Sequence, residues 1–198
     1  MGPLLIGLTG GIAAGKSEAL AAFQRLGAET ISSDAVVHEL LDSEELRDRL
    51  VDRWGEQVAP QGGIDRGRVG EIVFERPDEL AWLEAELHPR VGERIVAWRS
   101  SLGPETQFAV VEVPLLFEAA MGDAFDTTVA VVAEEETRRE RAARRGDALV
   151  DERTARQLAQ EEKVARADHV VRNDDTLEEL ERELSELLAK LGDRTVQR

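Results

Sequence analysis

The sequence predicts an α/β fold, a largely parallel sheet flanked by helices and carrying a mostly helical insertion. Three observations predict it. Short apolar runs alternate with stretches of helical spacing in the first and last parts of the chain. The first apolar run leads through a glycine-rich turn straight into a helical pattern. Residues 42 to about 101 break the alternation with helical spacing alone.

Leu4 to Leu8 is an apolar run bounded by Pro3 and the glycine-rich turn, the pattern of a buried strand. Ser17 to Leu26 has helical spacing and stops at Gly27. Glu29 to Ser32 is a second short strand, and Ala35 to Leu41 is helical. Asp42 is placed to cap a helix over Glu44 to Trp54, with Glu45 completing a capping box. Pro77 to Ser101 has helical spacing, with a stop or kink expected at His88-Pro89, because proline lacks a backbone N–H and crowds the preceding turn. Phe108 to Val113 and Thr127 to Val132 are strands, the latter rich in β-branched residues. Glu134 to Arg145 and Asp151 to Glu162 read as helices, and His169 to Arg172 as a last strand. Thr176 with Glu179 forms a capping box before a final helix to Leu191.

Composition sets the outer limits. The chain has 198 residues, 42% of them hydrophobic and 33% charged, as in a soluble globular protein of one domain with an insertion. It has no cysteine, which excludes disulfides, cysteine-held zinc, iron–sulfur clusters and thiol nucleophiles. No apolar run approaches the ~18–20 residues of a membrane span, and the start lacks a basic region and a cleavage site. The expectation is a cytoplasmic protein with no membrane partner. A formal net charge of −16 disfavours nucleic acid as a partner, but leaves room for an anionic small molecule where local charge opposes the total.

The segment Gly10-Gly11-Ile12-Ala13-Ala14-Gly15-Lys16-Ser17 matches G-x-x-x-x-G-K-[ST]. Glycines let the backbone turn so tightly that successive N–H groups point at phosphate oxygens. Lys16 reaches the β- and γ-phosphates in such a loop, the Ser17 hydroxyl ligates Mg²⁺, and the next helix aims its positive end at the same anion. The pattern follows an apolar strand and opens a helix, which is the context it requires. A GTP-binding switch needs N-K-x-D, and Asn173-Asp174-Asp175 does not supply it; a transporter ATPase needs an L-S-G-G-Q-type segment, which is absent. What remains favours a small kinase, which the length suits.

Residues 138–156 contain seven arginines and four acids, a local net of +3. Arg138, Arg141 and Arg145 lie at i, i+3, i+7 and share one helix face. They read either as a lid that closes on the transferring phosphate or as a solvated face with intrahelical ion pairs.

Several separated segments together resemble the dephospho-coenzyme A kinase family from about residue 4 to residue 191. They are Leu8-Thr9-Gly10-Gly11-Ile12; Asp34 with His38-Glu39-Leu40-Leu41; Ile64-Asp65-Arg66 with Ile72-Val73-Phe74; Leu87-His88-Pro89; Pro114-Leu115-Leu116-Phe117-Glu118; and Gln157 through Glu161-Glu162-Lys163 to Ala167-Asp168 and Asn173. The resemblance implies a P-loop kinase core over 1–41 and 102–198, a lid near 138–156, and a helical substrate domain over 42–101. It implies transfer of the ATP γ-phosphate, with Mg²⁺, to the ribose 3′-hydroxyl of dephospho-CoA, the last step of coenzyme A synthesis. Other small-molecule P-loop kinases, such as those for nucleoside monophosphates, share the core and stand as the alternative. Glu18 departs from the family, which usually has threonine there, and Ala13-Ala14 stands where glycine-serine is common.

Residue by residue, the resemblance puts the nucleotide at Gly10, Gly11, Ile12, Ala13, Ala14, Gly15, Lys16, Ser17, Glu18 and Arg138, and the metal at Ser17. Catalysis falls to Lys16, Asp34, Arg141 and Arg145. Asp34 follows the second strand, so it either takes the acceptor proton or simply caps the helix from Ala35. Asn173 is an adenine contact or a turn residue. Thr9, His88, Arg66 and the run Leu115, Leu116, Phe117 fall on the acceptor side. For His88 the alternative is a helix end, for Arg66 a surface salt bridge, and for the apolar run the core. Glu112 ends its strand as a Walker-B-type acid does.

Overall fold

The three apolar runs and the shorter segments Glu29–Ser32 and His169–Arg172 form strands, β-branched and bulky aliphatic residues suiting a pleated, buried surface. The computed structural model describes residues 2–145 and 157–196. Its strands are β1 (Leu4–Gly10), β2 (Glu29–Ser32), β3 (Phe108–Glu112), β4 (Thr127–Val132) and β5 (His169–Arg172). Every pairing is parallel, in the order β2-β3-β1-β4-β5. The register sets Leu8 of β1 opposite Glu112 of β3 and Val129 of β4, so the carboxyl ends of the central strands lie side by side. In an open parallel sheet that end is where ligands bind.

The helices among the described residues are α1 (Lys16–Arg25), α2 (Ser33–Leu41), α3 (Glu44–Trp54), α4 (Arg66–Glu75), α5 (Pro77–Ser101), α6 (Glu135–Arg145), α7 (Gln160–Arg166) and α8 (Leu177–Val196). They fall into two compact units, Met1–Ser32 with Leu102–Arg198, and Ser33–Ser101. The sheet unit buries Ile6, Leu8, Val110, Val129 and Val131 against Ala19, Ala22 and Phe23 of α1 and Leu180, Leu184 and Leu188 of α8. Residues of β1 alternate between faces, so Leu5, Gly7 and Thr9 point the other way. Leu116 and Phe125 pack there, 2.7 and 2.8 Å from where a Cβ on Gly7 would stand.

Asp168 pins the start of β5 to β4. Its Oδ2 accepts from the Thr128 N–H (2.8 Å), the Thr128 hydroxyl (2.8 Å) and the Thr127 hydroxyl (3.4 Å). Burial works to raise its pKa, but these donors and the nearby His169 outweigh it, and the carboxyl sits below its ordinary value. The stabilisation is therefore present in full above the ordinary aspartate range and is lost as pH falls through it. Asp168→Asn is expected to lower the melting temperature at pH 7 and to flatten its decline between neutral and acid pH. Melting curves across that range check it; an unchanged acid limb counts against this role.

The helical unit corrects four expectations. α2 belongs with it and not with residues 1–41 of the core, because α2 packs on α5. The cap of α3 is Ser43, not Asp42: Ser43 is extended, its Oγ accepts from the Leu46 N–H (3.4 Å) and donates to the Leu40 carbonyl (2.6 Å). α5 runs unbroken through Pro89. Leu83 and Leu87 are buried ahead of the proline, and Glu86 is held by Arg49 and by Arg90 (3.0 Å), whose NH1 also reaches the Glu86 carbonyl (2.7 Å). Those contacts span the site of the missing N–H and offset its cost. α4 has no counterpart among the expected helices; Asp65 caps it through the Gly67 and Arg68 N–H groups (3.0 and 3.1 Å), while Gly67 and Gly70 weaken its helical pattern. Trp54 and Trp82 meet edge to face at 5.3 Å, and the Trp54 indole N–H donates to Glu79 (2.9 Å).

In the sheet unit, the described part of the helix expected over Asp151 to Glu162 differs at its start: residues 157–159 are not helical, and α7 begins at Gln160. Residues 146–156 lie outside the described residues, and Leu158 instead donates its N–H to Glu118 Oε1 (2.8 Å).

Candidate active site

Gly10 closes β1, and the chain turns through Ser17 into α1. Ala13 (φ 57°) and Gly15 (φ 91°) both adopt the left-handed region. Glycine is required at 15, because a Cβ there would strike Asn173 Nδ2, which donates to the Ala14 carbonyl (3.0 Å). Asn173 is buried and its own N–H bonds the Val132 carbonyl (2.8 Å), so its amide supports the loop from β5. Gly15 begins α1 without a side-chain cap, which leaves the first-turn N–H groups for an anion. Lys16 Nζ folds over the loop and donates to the Gly10 and Gly11 carbonyls (3.1 and 3.0 Å).

α6 brings two arginines onto this loop. A Cβ on Gly11 would stand 3.3 Å from Arg138 NH1, and one on Gly15 would stand 3.6 Å from Arg141 NH1. Arg138 Nε and Arg141 NH1 are buried and have no hydrogen-bond partner among the described residues. A buried cationic donor without an acceptor is costly, about 1–3 kcal/mol or more. Here the orphaned Arg141 NH1 and the guanidinium of Arg138, through its NH1, lie over a glycine cradle at a helix N-terminus, and an anion there would satisfy Arg141 NH1. The opposite face behaves differently: Arg139 pairs with Glu135, and Arg144 with Glu140 (3.5 Å). The site and the solvated face are thus two sides of one helix. Arg145 ends α6, and its side chain lies outside the described residues, as does the expected lid segment beyond it.

The root of α6 is tied by a residue that sequence reasoning missed. Gln160 accepts from the Ala133 N–H and donates to the Ala133 carbonyl, both at 3.1 Å, and its Oε1 lies 3.4 Å from where a Cβ on Gly11 would stand. Its only sequence signal is its place between Gln157 and Lys163 in the family-like segment. A cavity of about 470 Å³ opens beside Arg138, lined by Ala133, Glu136, Gln160 and Arg172 among others.

The remaining candidates divide. Glu18 turns away from the loop to Arg25 on its own helix (3.2 Å). Thr9 is fully buried and donates to the Pro114 carbonyl (3.3 Å). Leu116 is core against Gly7, while Leu115 and Phe117 are partly exposed. Glu112 is buried at the end of β3. In the helical unit, Asp34 is exposed and lies inside the first turn of α2, not at its cap. Arg66 pairs with Asp42 (2.9 Å), Arg90 with Glu45 (3.0 Å), and His88 is exposed on α5. Among the described residues no group of three or more His, Asp or Glu is placed to hold a metal ion. Ser17 at the start of α1 is the side chain positioned for one, and it suits an ion whose other ligands are phosphate oxygens and water.

Comparison with known proteins identifies the family. The family model for dephospho-CoA kinase matches residues 4–179. A dephospho-CoA kinase from Streptomyces avermitilis is 38% identical over 199 residues, covering 98% of this chain and 97% of its own. A crystal structure from Thermus thermophilus superposes with a TM-score of 0.83 at 34% identity, covering 96% of this chain and 99% of its own. A dephospho-CoA kinase from Campylobacter jejuni superposes with a TM-score of 0.71 at 25% identity, covering 96% of this chain and 98% of its own. Matched along nearly its whole length by sequence and by fold, the chain belongs to the dephospho-CoA kinase family.

Proposed function

We propose that this protein transfers the γ-phosphate of ATP to the ribose 3′-hydroxyl of dephospho-CoA, giving CoA and ADP. Family membership supports the acceptor. The observation that carries the transfer chemistry is the pair of guanidinium groups of Arg138 and Arg141 set over the glycine cradle, with Arg141 NH1 buried there and without a partner among the described residues. Phosphoryl transfer asks the protein mainly for positioning and charge stabilisation, and this arrangement supplies both. The Gly10–Ser17 backbone and the start of α1 hold the phosphates. Lys16 exchanges its two loop carbonyls for β- and γ-oxygens. Arg138, Arg141 and Arg145 take up charge that develops on the transferring group, and Asn173 holds the loop in shape from behind. The Ser17 hydroxyl would hold Mg²⁺, whose contribution is to neutralise phosphate charge. Asp34 orients the acceptor hydroxyl and takes its proton. The resemblance puts Arg66, His88, Leu115 and Phe117 on the acceptor side. The reading is of a cytoplasmic enzyme acting on a small molecule. No helix among the described residues is long and apolar enough to cross a membrane.

The test is turnover with ATP against dephospho-CoA, AMP, CMP and shikimate, following ADP and the phosphorylated acceptor. Dephospho-CoA is expected to be the preferred acceptor by a wide margin. A faster rate with any of the others overturns the assignment.

The arginines give a sharper expectation. Arg141→Lys keeps a cation but loses the planar fork, and is expected to lower kcat roughly tenfold or more. Arg139→Ala, on the ion-paired face, is expected to leave kcat near wild type. Steady-state kinetics with nucleotide binding measured by calorimetry check both. Equal effects at 139 and 141 would remove the distinction between the two faces.

A further inference from the structure

Lys163 is one of only three lysines in a chain whose other 22 positive charges are arginine, and it is fully buried. Its Nζ donates to the Pro114 carbonyl (2.6 Å) and pairs with Glu118 Oε1 (3.0 Å). The same Pro114 carbonyl accepts the Thr9 hydroxyl (3.3 Å). The same Glu118 oxygen accepts the Leu158 N–H (2.8 Å). Beside them the Val113 N–H bonds the Leu8 carbonyl (2.8 Å). Thr9 immediately precedes the first glycine of the phosphate loop, and Pro114 lies two residues past the end of β3. One ammonium therefore joins three chain segments at the carboxyl end of the sheet: the exit of β1 into the phosphate loop, the 113–118 turn, and the segment that leads into α7. Burial works to raise the Glu118 pKa, and the hydrogen bonds from Leu158, its own backbone N–H and Lys163 outweigh it, so the group is a carboxylate opposite the ammonium.

Stability alone is a poor reason for such a pair. A buried ion pair replaced by apolar groups of similar volume is often neutral or stabilising, because the desolvation of two charges consumes the Coulombic gain. What an apolar pair does not do is donate to a chosen carbonyl. Lysine chemistry fits that contact, since its ammonium is a compact donor on a slender stem, where a guanidinium is a planar fork.

We propose that Lys163 is a positioning residue for phosphoryl transfer, setting through the Pro114 carbonyl the placement of the β1 exit, and hence the phosphate loop, against the 113–118 turn. The inference rests on the functional reading above. A displacement near 1 Å from a group outside the chemistry can cost about 10²-fold in rate, so a positioning role shows as a loss in kcat.

The experiment compares Lys163→Met, Glu118→Gln and the double variant with wild type. The readouts are the melting temperature, kcat and KM for ATP and dephospho-CoA, and amide hydrogen exchange over residues 10–17 and 114–118. Lys163→Met alone leaves a buried carboxylate unpaired and is expected to lower the melting temperature. The double variant removes both charges and is expected to recover most of it. In that stable double variant kcat is expected to stay roughly tenfold to a hundredfold low, with KM for ATP little changed. Exchange at residues 10–17 is expected to stay faster than in wild type. Recovery of kcat and of slow exchange together with the melting temperature overturns the proposal and leaves an ion pair that serves stability alone. Should wild type itself fail to phosphorylate dephospho-CoA, the functional reading falls, and the exchange comparison in the double variant still decides whether Lys163 holds the loop.

Discussion

Asp34→Asn is expected to lower kcat by about 10²–10⁴, the span of a lost general base. Asparagine is nearly isosteric with aspartate and keeps a carbonyl that can accept a hydrogen bond, but it cannot take the proton of the acceptor hydroxyl. In phosphoryl transfer the transition state is loose and the proton leaves late, which draws the effect toward the lower end of that span. KM for ATP should change little, because the residue serves the acceptor. Asp34 is exposed in the first turn of α2, where a carboxylate interacts favourably with the helix dipole. It lies inside the helix and not at its cap, so the melting temperature of Asp34→Asn should stay close to wild type. The measurement is steady-state kinetics with both substrates beside a melting curve. A stable Asp34→Asn protein with near-normal turnover would assign proton acceptance to another group.

Lys16→Ala is expected to lower kcat by roughly 10²–10³, the range of a lost electrostatic contact to the transition state. The structure sharpens the expectation. Lys16 Nζ already bonds two loop carbonyls, Gly10 and Gly11, so its removal takes from the loop two internal hydrogen bonds as well as a charge. Nucleotide affinity should fall with kcat, because the ammonium proposed to reach the β- and γ-oxygens is gone. The loop keeps its backbone turn, because the left-handed Ala13 and Gly15 and the Asn173 contact to Ala14 do not depend on Lys16. Circular dichroism and a melting curve establish that the variant is folded; calorimetry with ATP and single-turnover kinetics then separate binding from transfer. A folded variant with near-normal turnover would remove the assignment of the loop as the transfer site.

Several features of the site were legible in residue order alone, and each is local. The turn from Gly10 to Ser17 is contiguous, so its pattern is complete in one stretch. Arg138, Arg141 and Arg145 share a face because helical spacing is a property of one helix. The strands Glu29–Ser32, Thr127–Val132 and His169–Arg172 form where their composition placed them, since each is a short run of residues suited to a pleated surface. The family resemblance added what no local pattern contains, the acceptor.

Other features depend on which surfaces meet, and these the order of residues left open. Asp42 and Ser43 are both good caps; the carbonyl of Leu40 and the N–H of Leu46 selected Ser43. Pro89 is a helix breaker by its chemistry, yet buried leucines and the Arg49, Glu86 and Arg90 contacts carry α5 past it. Thr9 and Leu116 belong to segments with functional patterns, but strand alternation turns Thr9 inward, and Leu116, in the turn after β3, packs into the interior against Gly7.

The sequence by itself determined the α/β layering, the phosphate loop and the arginine face, because periodicity and contiguous motifs need only neighbouring residues. Tertiary structure decided that Arg138 and Arg141 meet that loop while Arg139 and Arg144 meet glutamates. It also brought Lys163, Glu118, Pro114 and Thr9 from separate parts of the chain onto one shared carbonyl and one shared carboxylate. The physical reason is that a buried charge takes its meaning from the partner that desolvation forces on it, and that partner is chosen by the packing of the sheet.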